Sequence, residues 1–96
     1  MKLLHLTFHF EYADAVELIL DRHEVAEYAR YPMVEGKDHE GKHFGTQVFP
    51  GGVTVVQAQV PEDKIDALFH DLRAFREEKA AHRHLQAIVL PVDRCL

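Results

Sequence analysis

Residues 53–75 read VTVVQAQVPEDKIDALFHDLRAF, and the period of their apolar positions changes at Pro61. Before the proline, strict alternation over 53–60 predicts a strand. Its face of Thr54, Val56, Ala58 and Val60 reads as more buried than that of Val53, Val55, Gln57 and Gln59. After the proline, Ile65, Leu68, Phe69, Leu72 and Phe75 recur at spacings of three and four, the stripe of a helix with one apolar side. Pro61, Glu62 and Asp63 suit the start of that helix, because proline lacks an amide hydrogen that the first turn cannot use and acids favour the positive end of the helix dipole.

The rest of the chain arranges itself around this strand and helix. Leu4, Leu6, Phe8 and Phe10 alternate with Leu3, His5, Thr7 and His9, which predicts a first strand with one strongly apolar face. Over 14–23 the pattern turns helical through Ala15, Val16, Ile19, Leu20 and His23, with Glu17 and Asp21 on the wet side. Residues 28–35 are aromatic and β-branched but contain Pro32, which belongs at a sheet edge or a bulge. Residues 85–92, LQAIVLPV, close as a strand. The order β α β β α β predicts an α+β, ferredoxin-like βαββαβ two-layer sandwich, with an antiparallel four-stranded sheet and both helices on one face. The other face would carry His5, Thr7, His9, Val55, Gln57, Gln59, Gln86 and Ile88. That mixture is too apolar for water and too polar for a dry core, and suits the sheet-to-sheet interface of an oligomer.

A length of 96 residues predicts a single domain over 1–96, and 47% apolar residues should let it fold without disulfides or a structural metal. The single Cys95 cannot form an internal disulfide, which fits a reducing compartment or simple indifference to redox state. Met1 and Lys2 lead straight into a strand rather than a signal peptide, and no stretch is long enough for a transmembrane helix, so a cytoplasmic protein without membrane insertion is expected. A net charge of −5 without a dense basic run argues against a nucleic-acid surface as the main role. The eight histidines are unusual for this length, and imidazole is the side chain best suited to metal ligation or proton sensing near neutrality.

Those histidines form small groups. His39 and His43 lie in a glycine-rich stretch that could bring both rings and Asp38 or Glu40 onto one zinc or copper ion; the alternative is a solvated polar loop. His82 and His84 flank Arg83 after the second helix; if that segment is extended, their side chains share a face about 7 Å apart. The alternative is a cationic helix end in which Lys79, His82 and Arg83 complement the dipole. His5 and His9 share a strand face but sit about 13 Å apart, too far for one ion. His23 and His70 read as helix-boundary residues. No Ser/His/Asp or Cys/His order points to nucleophilic catalysis; a small enzyme built around His5 or His9 would need a cavity beside one of them.

In element order and length the whole chain resembles the PII-like superfamily, small ferredoxin-like subunits that form trimers with their sheets inward. It is similar in the same architectural way to the CutA-type copper-tolerance proteins. The resemblance implies that EGKDHEGKHFGTQVFPGG, residues 35–52, is the ligand- or partner-responsive T-loop. It implies a regulator rather than a catalyst, a homotrimer, an adenine nucleotide or a divalent metal as ligand, and a transporter among the partners. Gly36, Lys37, Gly41, Phe44, Gly45 and Phe49 would then form the loop's responsive surface. Lys79, His82, Arg83 and His84 would lie near the subunit cleft as the anion-binding set. The chain departs from the nitrogen-signalling members at 76–86, REEKAAHRHLQ, where no glycine stands in the turn that cradles nucleotide phosphates in those proteins.

Overall fold

The computed structural model describes residues 1–38, 41–43 and 52–96, with the backbone alone at 38 and 41–43. His39, Phe44, Gly45 and Phe49 therefore lie outside the described residues, as does the side chain of His43. The elements are β1 (Lys2–His9), α1 (Ala13–Arg22), β2 (Ala29–Val34), β3 (Gly36–Asp38), β4 (Gly41–His43), β5 (Val53–Val60), α2 (Ile65–Glu78) and β6 (Gln86–Pro91), with short 3-10 turns before α1 and α2 and after α2. Strands β2, β5, β1 and β6 pair in that order, all antiparallel, into the four-stranded sheet that the sequence predicts.

Alternation along the strands fixes which side is dry. Leu4, Leu6 and Phe8 of β1 and Thr54, Val56, Ala58 and Val60 of β5 are buried on one face. There they pack with Val16, Ile19 and Leu20 of α1 and Leu68, Leu72 and Phe75 of α2. The helices close that face because their apolar stripes would otherwise stay in water, at about 25 cal/mol per Å² of apolar surface. Leu3, His5, Thr7 and His9 stand opposite Gln59, Gln57, Val55 and Val53 on the other face, which no helix covers. Tyr31, Ile88 and Leu90 extend this open face and are each about half exposed.

Several local expectations are corrected. Phe10 does not extend the apolar face of β1. The strand ends at His9, and Phe10 begins a 3-10 turn in which it is 41% exposed. Ala15 lies on the wet side of α1. Pro32 does sit at a sheet edge, where the β2–β5 register shifts between Tyr31 and Val34, and Thr54 Oγ1 donates to the Pro32 carbonyl at 2.8 Å. The start of the predicted loop is itself paired, with Gly36 opposite His43 and Lys37 opposite Lys42 in a two-stranded ladder of their own. Backbone pairing needs no apolar alternation, so glycine and lysine there gave no strand signal.

Candidate functional site

Where β2 runs into β3, the open face of the sheet sinks into a cavity of about 250 Å³. Thr7 and His9 of β1, Val53 and Val55 of β5, and Gln86 of β6 supply its sheet wall. Val34, Glu35, Gly36 and Lys37, the strand end that leads into the 36–52 segment, supply the other. His84 enters from the turn before β6. A Cβ at Gly36 would come within 3.3 Å of Val53 Cγ2, so a side chain there would require Val53 to give by a few tenths of an ångström. On the far side of the segment, the Gly52 carbonyl accepts the Phe10 amide at 3.1 Å and ties its exit to the end of β1.

A ladder of rings anchors this wall to the core. The His9 backbone amide donates to His84 Nδ1 at 3.1 Å, so the neutral His84 ring carries its proton on Nε2. The His9 and His84 rings stack with centroids 3.7 Å apart and planes 11° from parallel. Tyr12 stacks on His84 at 5.2 Å and meets His82 edge-on at 4.8 Å. His82 in turn lies flat against Phe75 at 3.9 Å. Its Nδ1 donates to the Phe75 carbonyl at 2.9 Å, satisfying one of the carbonyls that the end of α2 leaves without a helical partner. Lower on the open face, the Gln57 amide donates to His5 Nδ1 at 3.2 Å across the strand pair.

The structure thus distributes the four residues of 79–84 rather than gathering them. The stretch is not extended: Ala80–His82 form a 3-10 turn, with the Arg83 amide on the Ala80 carbonyl and the Leu85 amide on that of His82. His82 and His84 therefore do not share a strand face. His82 is buried against α2, and His84, equally buried, points to the open-face cavity. Lys79 is exposed at the end of α2, and Arg83 faces outward beside Arg73 and Arg76. Lys37 and Gly36 line the cavity, and the Gly41 backbone belongs to β4. The cavity beside a strand histidine that a small enzyme would need exists at His9, although one face of that ring is covered by His84. Among the described residues no group of three or more His, Cys, Asp or Glu side chains is placed to hold a metal ion. Among the described residues no helix is long and apolar enough to cross a membrane.

Tyr12 and Arg73 are the residues that sequence reasoning passed over. Tyr12 stands outside any periodic element, and only the tertiary stack shows its part. Arg73 reads as an ordinary solvated helix position.

Glu17 of α1 meets Tyr28 and Arg30, at the start of β2, and adds electrostatics at the sheet edge. Tyr28 donates to Glu17 Oε1 at 3.0 Å, and Arg30 Nη1 lies 2.8 Å from the same oxygen. Partial burial, followed by the Glu17 bond, raises the Tyr28 phenol above its ordinary value. At the helix seam His23 Nε2 lies 2.7 Å from Asp71 Oδ2, and that bond lowers the Asp71 carboxyl.

No family model matches the chain, and no curated protein matches it. Solved structures do. The chain is similar to CPII, a nitrogen regulatory PII-like protein from Thiomonas intermedia K12, bound to ADP, AMP and bicarbonate, with a TM-score of 0.72 and 21% identity over 93% of this chain and 80% of that one. A second structure of the same complex gives a TM-score of 0.75 at 20% identity, over 93% of this chain and 88% of that chain. The apo form of CPII gives 0.64 at 21% identity, over 94% of this chain and 92% of that chain. The fold is therefore the PII-like, ferredoxin-like one.

Proposed function

We propose that the chain is a PII-like regulatory protein whose open-face cavity is its share of a ligand site. An adenine nucleotide, with a small anion such as bicarbonate, would occupy a cleft completed by a neighbouring copy. The observation that carries this reading is the make-up of the cavity. One wall is rigid sheet, and the other is the strand end that feeds the 36–52 segment, so a ligand held between them touches the element it would reposition. Lys37 supplies the cation for a phosphate or carboxylate, Thr7 and Gln86 supply neutral polar contacts, and the stacked His9 and His84 present a flat, polarisable surface. Likeness of fold to a protein bound to ADP, AMP and bicarbonate supports that ligand class.

The half-exposed Tyr31, Ile88 and Leu90 support assembly through the open face, in the homotrimer that the sequence resemblance implies. Ligand binding would select among arrangements of the 36–52 segment and so change what a partner meets, a transporter being one candidate. Lys79 and Arg83 do not line this cavity, and the side chains of the metal pair His39 and His43 lie outside the described residues.

Isothermal titration with ADP, AMP and ATP, each with and without bicarbonate, tests the proposal, with zinc and copper as separate arms. ADP should bind, and Lys37→Glu or His84→Ala should weaken it by about tenfold or more. Absence of binding by every nucleotide would sink the reading, uptake of metal alone would favour a CutA-like role, and turnover of the nucleotide would favour an enzyme. Limited proteolysis within 36–52 should slow when ADP is bound.

A further inference from the structure

A second concavity lies on the helix side of the sheet, away from the cavity at His9 and His84. Arg73 and Arg76 stand one turn apart on the exposed side of α2, and Arg83 leaves the turn that follows. With Glu77 they surround an open hollow of about 520 Å³. None of the three guanidinium groups is ion-paired among the described residues; the ion pairs there are Lys2–Glu62, His23–Asp71, Arg30–Glu17 and Lys64–Glu24. The same Arg73 and Arg76 also edge a smaller slot of about 130 Å³, floored by Phe69, Leu72, Leu85 and Ala87. Ala87 of β6 lines the slot, and among the described residues β6 is an edge strand that pairs with β1 on one side only.

We infer that this groove docks an acidic, extended peptide segment of a partner protein. Three neighbouring cations on a chain of net charge −5 repel one another and are relieved by carboxylates, which a guanidinium meets through two parallel hydrogen bonds. The apolar slot takes one aliphatic side chain between the arginine contacts. The edge of β6, unpaired among the described residues and reaching the slot at Ala87, offers backbone donors and acceptors that an added strand satisfies and a nucleotide or a simple anion does not. The three features together specify a peptide in which acids and apolar residues alternate.

Fluorescence anisotropy of the full chain with a labelled peptide of alternating glutamate and leucine tests this, against the same peptide with lysine in place of glutamate. The acidic peptide should bind with an affinity that falls as salt rises. Arg73→Glu with Arg76→Glu should weaken it by about tenfold or more, and Arg73→Ala with Arg76→Ala should do the same in direction. ADP binding should be unchanged in both double variants, which separates this site from the open-face cavity. No binding of the acidic peptide, equal binding of the lysine peptide, or displacement of the acidic peptide by ADP or tripolyphosphate would each overturn the inference.

Discussion

The two faces of β1 are made by alternate residues of one strand, yet they meet opposite fates. Leu4, Leu6 and Phe8 are sealed under two helices with at most 1% of their surface exposed. Leu3, His5, Thr7 and His9, one residue out of step, are only half-buried, and His5 holds a polar cross-strand contact with Gln57. Apart from Thr54, the inner face is made of hydrocarbon, so its stability is that of a packed core. The open face keeps imidazoles, amides and a hydroxyl within reach of water, with apolar Tyr31, Ile88 and Leu90 around them. One sheet thus separates holding the fold together from meeting something outside it.

The contrast can be broken most severely from the inside. Leu6→Ala removes a fully buried side chain and should cost about 2–5 kcal/mol, read as a lower urea midpoint with unchanged slope. Ile88→Glu on the open face should change the stability of the single chain by only about 0.5 kcal/mol while reducing self-association in sedimentation. Equal losses from the two substitutions would erase the distinction between the faces. Thr54→Val tests a polar group on the inner face: losing its bond to the Pro32 carbonyl at the β2 bulge should cost about 1–3 kcal/mol.

Smaller effects belong to the helix layer. Glu24 adopts a φ of 60° just after α1, where its amide reaches the Asp21 carbonyl and that of Val25 reaches Leu20. This left-handed closing residue favours glycine, so Glu24→Gly should raise stability by about 1 kcal/mol, the exposed Lys64 contact being a minor loss. The smallest effect is the acid response of the α1–α2 seam. The His23 bond holds the Asp71 pKa below its unfolded value, so this contribution is fully present above about pH 4 and fades as pH falls through the lowered folded value. His23→Ala should remove that part of the acid sensitivity in denaturation curves recorded below pH 4.

What was legible in the sequence follows the same division. Strands 2–9 and 53–60 and the stripe of α2 were readable because burial on one side imposes a period that local composition displays. The open face was readable by subtraction, and His5 does find a cross-strand partner there. The ladder of β3 and β4 was not, because Gly-Lys-Asp pairs with Gly-Lys-His through backbone alone. Neither was the separation of His82 from His84: their spacing suggests a shared strand face, and a 3-10 turn sends one ring to Phe75 and the other to His9. Tyr12, which joins those two rings, is set by packing between elements far apart in the chain and leaves no local signal.

Assembly and ligand uptake together test the open-face site most directly. Native mass spectrometry of the full chain, alone and with ADP and bicarbonate, measures both in one experiment. A trimer that gains nucleotide is expected, with Ile88→Glu shifting it toward the single chain. A single chain or dimer that takes up no nucleotide under any of these conditions would contradict this expectation.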